Sequence, residues 1–150
     1  MKKAILSIAL SGCVMTLLLG ATAHAQLTGA PIRINIPFDF NIRGKTLPAG
    51  DYEVKRINDE VESLEISNVK HSHDHAMFET EPVDARKAPR HAELVFHRYG
   101  DEYFLSEIWT PGVGTGRELF MSRQERAVKQ EMAKDNNGQS EPQTVAVAIP

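Results

Sequence analysis

Apolar and polar residues alternate with a period of two over the first patterned stretch of the chain. Ile32, Ile34, Ile36, Phe38, Phe40 and Ile42 take turns with Arg33, Asn35, Pro37, Asp39, Asn41 and Arg43. Successive side chains of a strand point to opposite faces, so the run predicts one strand, or two collinear ones, with the isoleucines and phenylalanines buried. Arg33 and Asn41 then lie on the opposite face. Pro37 has no N–H to give to a ladder, which predicts an edge strand or a bulge at that point. Leu47-Pro48-Ala49-Gly50-Asp51 reads as a turn. Residues 51–57 read as a strand carrying Tyr52 and Val54, and the polar residues 58–62 turn the chain. Residues 63–69 alternate again on Leu64 and Ile66, residues 71–75 form a hairpin tip, and residues 76–83 return.

Residues 92–109 are two apolar-rich runs around Gly100-Asp101, a second hairpin. A two-residue type II′ loop sets Phe96 opposite Leu105 and Leu94 opposite Glu107, whereas a three-residue loop pairs Leu94 with Ile108. Both registers stay open. Apolar side chains on both faces imply that this hairpin is central and covered. Pro111 with Gly112, Gly114 and Gly116 reads as a flexible loop. Ser122-Arg123-Gln124-Glu125 is a capping-box signature that opens a helix over residues 122–134. Its few apolar positions predict an exposed, weakly packed helix. Residues 135–150 read as a disordered tail, although residues 144–149 are β-prone enough to dock as a strand. The fold class expected is all-β, a single antiparallel β-sandwich or small β-barrel of six to eight strands over residues 32–121, with one C-terminal helix.

The chain ahead of this domain has a different character. Lys2 and Lys3 precede a nearly unbroken apolar run over residues 4–20, and Ala23-His24-Ala25 supplies small residues at −3 and −1. These features predict a signal peptide, residues 1–25, cleaved after Ala25, with residues 26–31 as a short leader. Leu10-Ser11-Gly12-Cys13 also matches a lipobox, which would lipidate Cys13 and leave an apolar start where a polar tether belongs. Cleavage after Ala25 is the expectation, with a periplasmic or secreted product, and lipidation is the alternative. The apolar run is short of the ~20 residues that span a bilayer, so no transmembrane segment is expected in the mature chain.

Cleavage changes the composition. It removes Lys2, Lys3 and the single cysteine from a chain of 17 basic and 20 acidic residues, leaving 15 against 20 and a net charge of −5 with histidine neutral. An acidic domain lacks the basic footprint of nucleic-acid binding, and a cysteine-free one holds together by packing without disulfides.

Candidate chemistry is sparse. His71, His73 and His75 share one face if the tip is extended, and three imidazoles suit Zn, Ni or Cu. A solvated, histidine-rich loop accounts for the same residues. No other cofactor is expected. His97, flanked by Arg98 and set among apolar residues, reads as a hydrogen-bonded structural group, and His91 as surface. Ser106 and Thr110 lie near acids, but no G-x-S-x-G, S-x-x-K or H-E-x-x-H accompanies them. The three glycines ahead of Arg117 lack the lysine and the βαβ context of a phosphate loop. Asp101, Glu102, Asp59, Glu60 and Glu62 read as solvated surface.

Pro37-Phe38-Asp39-Phe40, Leu47-Pro48-Ala49-Gly50 with Tyr52 and Val54, Phe96-His97-Arg98-Tyr99-Gly100-Asp101 with Tyr103-Phe104-Leu105 and Trp109, and Arg117-Glu118-Leu119 ahead of Ser122 form a pattern over residues 32–130. It resembles a group of small exported acidobacterial proteins of unassigned function. The resemblance implies a periplasmic or extracellular β domain and nothing about catalysis, and a short, polar hairpin tip between residues 68 and 78, which makes the histidines here particular to this chain. The function expected is an exported, non-enzymatic binding or envelope-associated module, whose partner is an envelope or extracellular component or a small ligand. The alternatives are a periplasmic metal-binding protein using the histidine tip and a small hydrolase.

Overall fold

The computed structural model describes residues 31–57, 63–84, 87–135 and 141–149. The expected signal peptide, residues 26–30 of the leader, the turn at 58–62 with Asp59, Glu60 and Glu62, and residues 136–140 of the tail lie outside the described residues. Among the described residues no helix is long and apolar enough to cross a membrane.

The alternating run forms two strands, β1 (Ile32–Ile36) and β2 (Phe40–Ile42). β1 keeps its period, with the three isoleucines buried and Arg33 and Asn35 exposed. The chain breaks at Pro37, and Asp39 Oδ1 accepts the Ala49 N–H at 2.8 Å across the break. Asn41 departs from the alternation. It is 6% exposed, and its Oδ1 accepts a 2.7 Å hydrogen bond from Thr46 Oγ1. Both faces of β2 are covered, so a period of two no longer sorts them into wet and dry.

After β2 come β3 (Lys45–Leu47), β4 (Gly50–Arg56), β5 (Ser63–Asn68), β6 (His75–Asp84), β7 (Glu93–Tyr99), β8 (Glu102–Trp109), β9 (Thr115–Leu119), the helix α1 (Arg123–Asp135) and β10 (Gln143–Ala148). They make one open, mixed sheet. The ladder runs β1-β4-β5-β6-β9-β8-β7-β10, all antiparallel. The β2-β3 hairpin joins the remaining stretch of the β8 edge through a parallel pairing of Asn41 with Phe104. β6 carries two ladders, with His75–Glu79 on β5 and Thr80–Asp84 on β9. The sheet curls until β1 and β10, at the two ends of the ladder, lie side by side. The all-β expectation with one C-terminal helix holds. Among the described residues there are ten strands instead of six to eight, one pairing is parallel, and the layers are a single curled sheet.

The concave face holds Ile34, Ile36, Phe40, Tyr52, Val54, Ile66, Leu94, Phe96, Leu105 and Ile108 as one core. Phe40 meets Tyr52 edge-on at 5.2 Å and Phe96 at 5.6 Å between ring centroids, and Phe38 stacks on Tyr103 at 3.9 Å. The convex face of the central hairpin carries Val95, Tyr99, Phe104 and Trp109, also buried.

Both candidate registers of this hairpin occur, one on each side of a β-bulge. From the turn, where Gly100 has φ +60°, Tyr99 pairs with Glu102 and Phe96 with Leu105. Beyond it Val95 pairs with Glu107 and Leu94 with Ile108, so Ser106 is the extra residue. Its Oγ donates to Val95 O at 3.2 Å and satisfies a carbonyl at the bulge. The bulge keeps Leu105 and Ile108 on the same concave face. Gly116, expected in a flexible loop, sits in β9 against the Trp109 indole. A Cβ there would stand 2.6 Å from the ring, so the position needs glycine for close approach.

Of the two outcomes open for residues 144–149, docking as a strand is the one that occurs. Residues 143–148 pair with Glu93–Arg98 of β7, Val145 opposite Phe96 and Val147 opposite Leu94, and Ile149 N–H donates to Ala92 O at 2.9 Å. Val147 and Ile149 pack against the core. Deleting residues 136–150 should therefore cost more than about 2 kcal/mol, from lost apolar burial and an opened β7 edge. Urea denaturation of the truncated chain checks this, and a loss below about 1 kcal/mol would restore the disordered tail.

Candidate functional site

The helix begins where its sequence signals it. Ser122 Oγ accepts the Glu125 N–H at 3.0 Å, and Ser122 O accepts the Arg126 N–H at 3.1 Å, so Ser122 is the N-cap. The reciprocal half of a capping box would turn the Glu125 carboxylate back to the Ser122 N–H. Here it points into the sheet instead. Glu125 is 4% exposed, with Oε1 2.7 Å from His97 Nδ1 and 3.5 Å from the Tyr99 hydroxyl, which donates to it. A buried carboxylate without such partners would cost several kcal/mol, on the order of the whole fold's margin. His97 is thus the structural group expected, and its partner is a helix residue 28 positions away. Gln124 Nε2 reaches Asn41 Oδ1 and Glu102 Oε2 at 3.5 Å each. These contacts tie the first turn of α1 to β2, β7 and β8, and the expected weakly packed helix is anchored at its start.

That anchoring sets Arg123 and Arg126 beside the turn between β2 and β3. Ile42 pairs with Lys45, leaving a two-residue loop in which Arg43 has φ +50° and Gly44 φ +86°. Positive φ at both positions is the type I′ turn, which favours Asn or Gly first, so an arginine there is held in a sparsely populated conformation. Between this turn and α1 lies a cleft of about 680 Å3 lined by Arg43, Gly44, Phe120, Met121, Ser122, Arg123, Gln124 and Arg126. None of these described lining residues is acidic. Arg126 Nη1 donates to Met121 O at 3.1 Å, while Arg43 and Arg123 make no hydrogen bond or ion pair with a described residue. The positive end of the helix dipole opens on the same side. Three guanidinium groups, on a chain with net charge −3, concentrate positive potential where a carboxylate, phosphate or sulfate can accept their N–H groups.

Neither a family model, nor a curated protein, nor a solved structure matches this chain.

The other candidate residues lie elsewhere. His71 and His73 lie in the turn between β5 and β6, and His75 is the first residue of β6. Asn68 Oδ1 accepts the Lys70 and His71 N–H groups at 2.9 and 3.0 Å, and Asp74 N–H donates to His71 O at 3.0 Å. His75 Nδ1 lies 2.8 Å from Ser72 O. Among the described residues no group of three or more His, Cys, Asp or Glu side chains is gathered about a metal position. The Lys45 ammonium donates to the His73 and His75 carbonyls at 3.0 and 2.9 Å, so a cation at the tip would meet a fixed positive charge. Ser106 is committed to its bulge, and Asp101 pairs loosely with Arg98 at 3.7 Å. The alternation placed Arg43 on a polar face, and the capping signature used Ser122 and Glu125. Neither pattern relates residue 43 to residues 123 and 126, and the one local signal was an arginine ahead of glycine in a two-residue turn.

The Glu125 contacts have a pH signature. Burial first, and then the Glu125 charge, push the Tyr99 hydroxyl up to about 12, whereas the unfolded chain releases that proton near 10. Between these values the folded chain holds more protons than the unfolded one. Stability is therefore full below about pH 10 and falls as the pH rises towards about 12. Tyr99→Phe should lessen that fall, with the remainder owed in part to Tyr52, which burial also pushes up. Urea denaturation at about pH 9 and about pH 11 compares the two chains. An equal fall in both would mean that Tyr99 is not held as described.

Proposed function

We propose that this chain is an exported, non-enzymatic binding module whose site is the arginine-lined cleft between the β2-β3 turn and α1, and that it takes an anionic group there. The observation that carries the reading is the set of three arginines on one cleft with no acidic neighbour among its described lining residues. Arg43 strengthens it, because a type I′ turn is better served by asparagine at that position. Export rests on the charge and hydrophobicity pattern of residues 1–25. The absence of catalysis is supported by what the polar groups already do. Ser106 serves the bulge and His97 serves Glu125, and neither faces the cleft.

Arg43→Asn separates function from fold. Asn-Gly is a favoured type I′ pair, so stability should hold or rise by up to about 1 kcal/mol, while affinity for inorganic phosphate or sulfate should drop about tenfold or more. Calorimetric titration at low ionic strength, repeated for Arg123→Gln and at high salt, checks it. Parent-like binding in both variants would sink the proposal.

A further inference from the structure

Arg43 lines a second depression as well as the cleft. This groove, of about 220 Å3, is bordered by Arg43, Ile57, Ser63, Met77, Phe78 and Glu79. Among the described residues four large apolar side chains are exposed, and three of them, Ile57, Met77 and Phe120, border these two depressions. Met77 is 63% exposed and Phe120 51%. Exposure of this kind, gathered at one place beside arginines that form no ion pair with a described residue, is what an amphipathic ligand covers.

The two depressions differ in charge. The cleft offers Arg43, Arg123 and Arg126 with no acid among its described lining residues, whereas the groove offers apolar side chains with Glu79 at its border. An acidic head is therefore attracted to the α1 end and repelled from the Met77 end. Arginine suits the junction, since its methylene stem packs along apolar surface while its guanidinium pairs with an anion. We infer that the two depressions form one track for a free anionic amphiphile. Its carboxylate, phosphate or sulfate head sits among the three arginines, and its flexible apolar chain passes Arg43 to lie over Met77 and Phe78. This rests on the anion reading above and adds the ligand's second half and its direction.

The test is calorimetric titration of the full exported chain with three probes: inorganic phosphate, dodecyl phosphate below its micelle concentration, and vesicles of phosphatidylglycerol. Dodecyl phosphate should bind one per chain, about tenfold or more tighter than inorganic phosphate, a gain that burial of a few methylenes supplies. Met77→Ser, at an exposed position, should remove most of that gain and leave phosphate binding unchanged, whereas Arg43→Asn should weaken both. Equal affinity for both phosphates, indifferent to Met77→Ser, would overturn the amphiphile and leave the anion site standing. Binding of neither would overturn both. Capture by vesicles without binding of the monomeric amphiphile would replace the free ligand with a membrane surface.

Discussion

A single strand of ten residues holds the two halves of this sheet together. β6 pairs through His75–Glu79 with β5 and through Thr80–Asp84 with β9. Because one strand serves both ladders, the sheet curls on itself until its end strands are neighbours, and the concave side closes over a core of aromatic and branched side chains. Phe40, Tyr52 and Phe96, all fully buried, interlock edge-on at its centre. With this much of the concave face filled by side chains, the features able to meet a ligand lie on the outer surface.

On that outside, the decisive contact is the Glu125 carboxylate against His97 and Tyr99. A helix with few apolar positions has little hydrophobic reason to settle at one place on a sheet. A buried carboxylate with two partners on one strand gives it one, because any shift would leave a charge unsatisfied. The consequence falls at the first turn of the helix, where Arg123 and Arg126 are brought to Arg43. The basic cleft is thus a by-product of satisfying an acid, and the strained φ of Arg43 is the local cost of having a cation at the turn.

Much of the fold could be read in the chain, and the reasons for the failures are physical. The isoleucines of β1 kept their period because one face of an edge strand is wet. Ser122 capped the helix because that interaction is local. The hairpin over residues 93–109 left two registers open because each holds on one side of Ser106, and a bulge of one residue is invisible to pattern counting. Asn41 was misplaced because covering both faces of β2 depends on elements far away in sequence. β10 stayed open between docking and disorder because a short apolar strand after a polar stretch is specified by its partner, Glu93 to Arg98, more than by itself. The site was the least legible part. Arg43 and Arg123 are 80 positions apart, and only the topology relates them. The histidine tip, the most conspicuous pattern for chemistry, owes its shape to Asn68 and Lys45.

The most direct test of this account is residue-resolved. Backbone amide shifts of the folded chain, followed by NMR during titration with inorganic phosphate, report where an anion sits. The account predicts shifts concentrated at Arg43 and Gly44 and across residues 121–126, with His97 and Tyr99 responding weakly through Glu125. Shifts centred on residues 71–75, or spread evenly over the lysines and arginines of the surface, would contradict it.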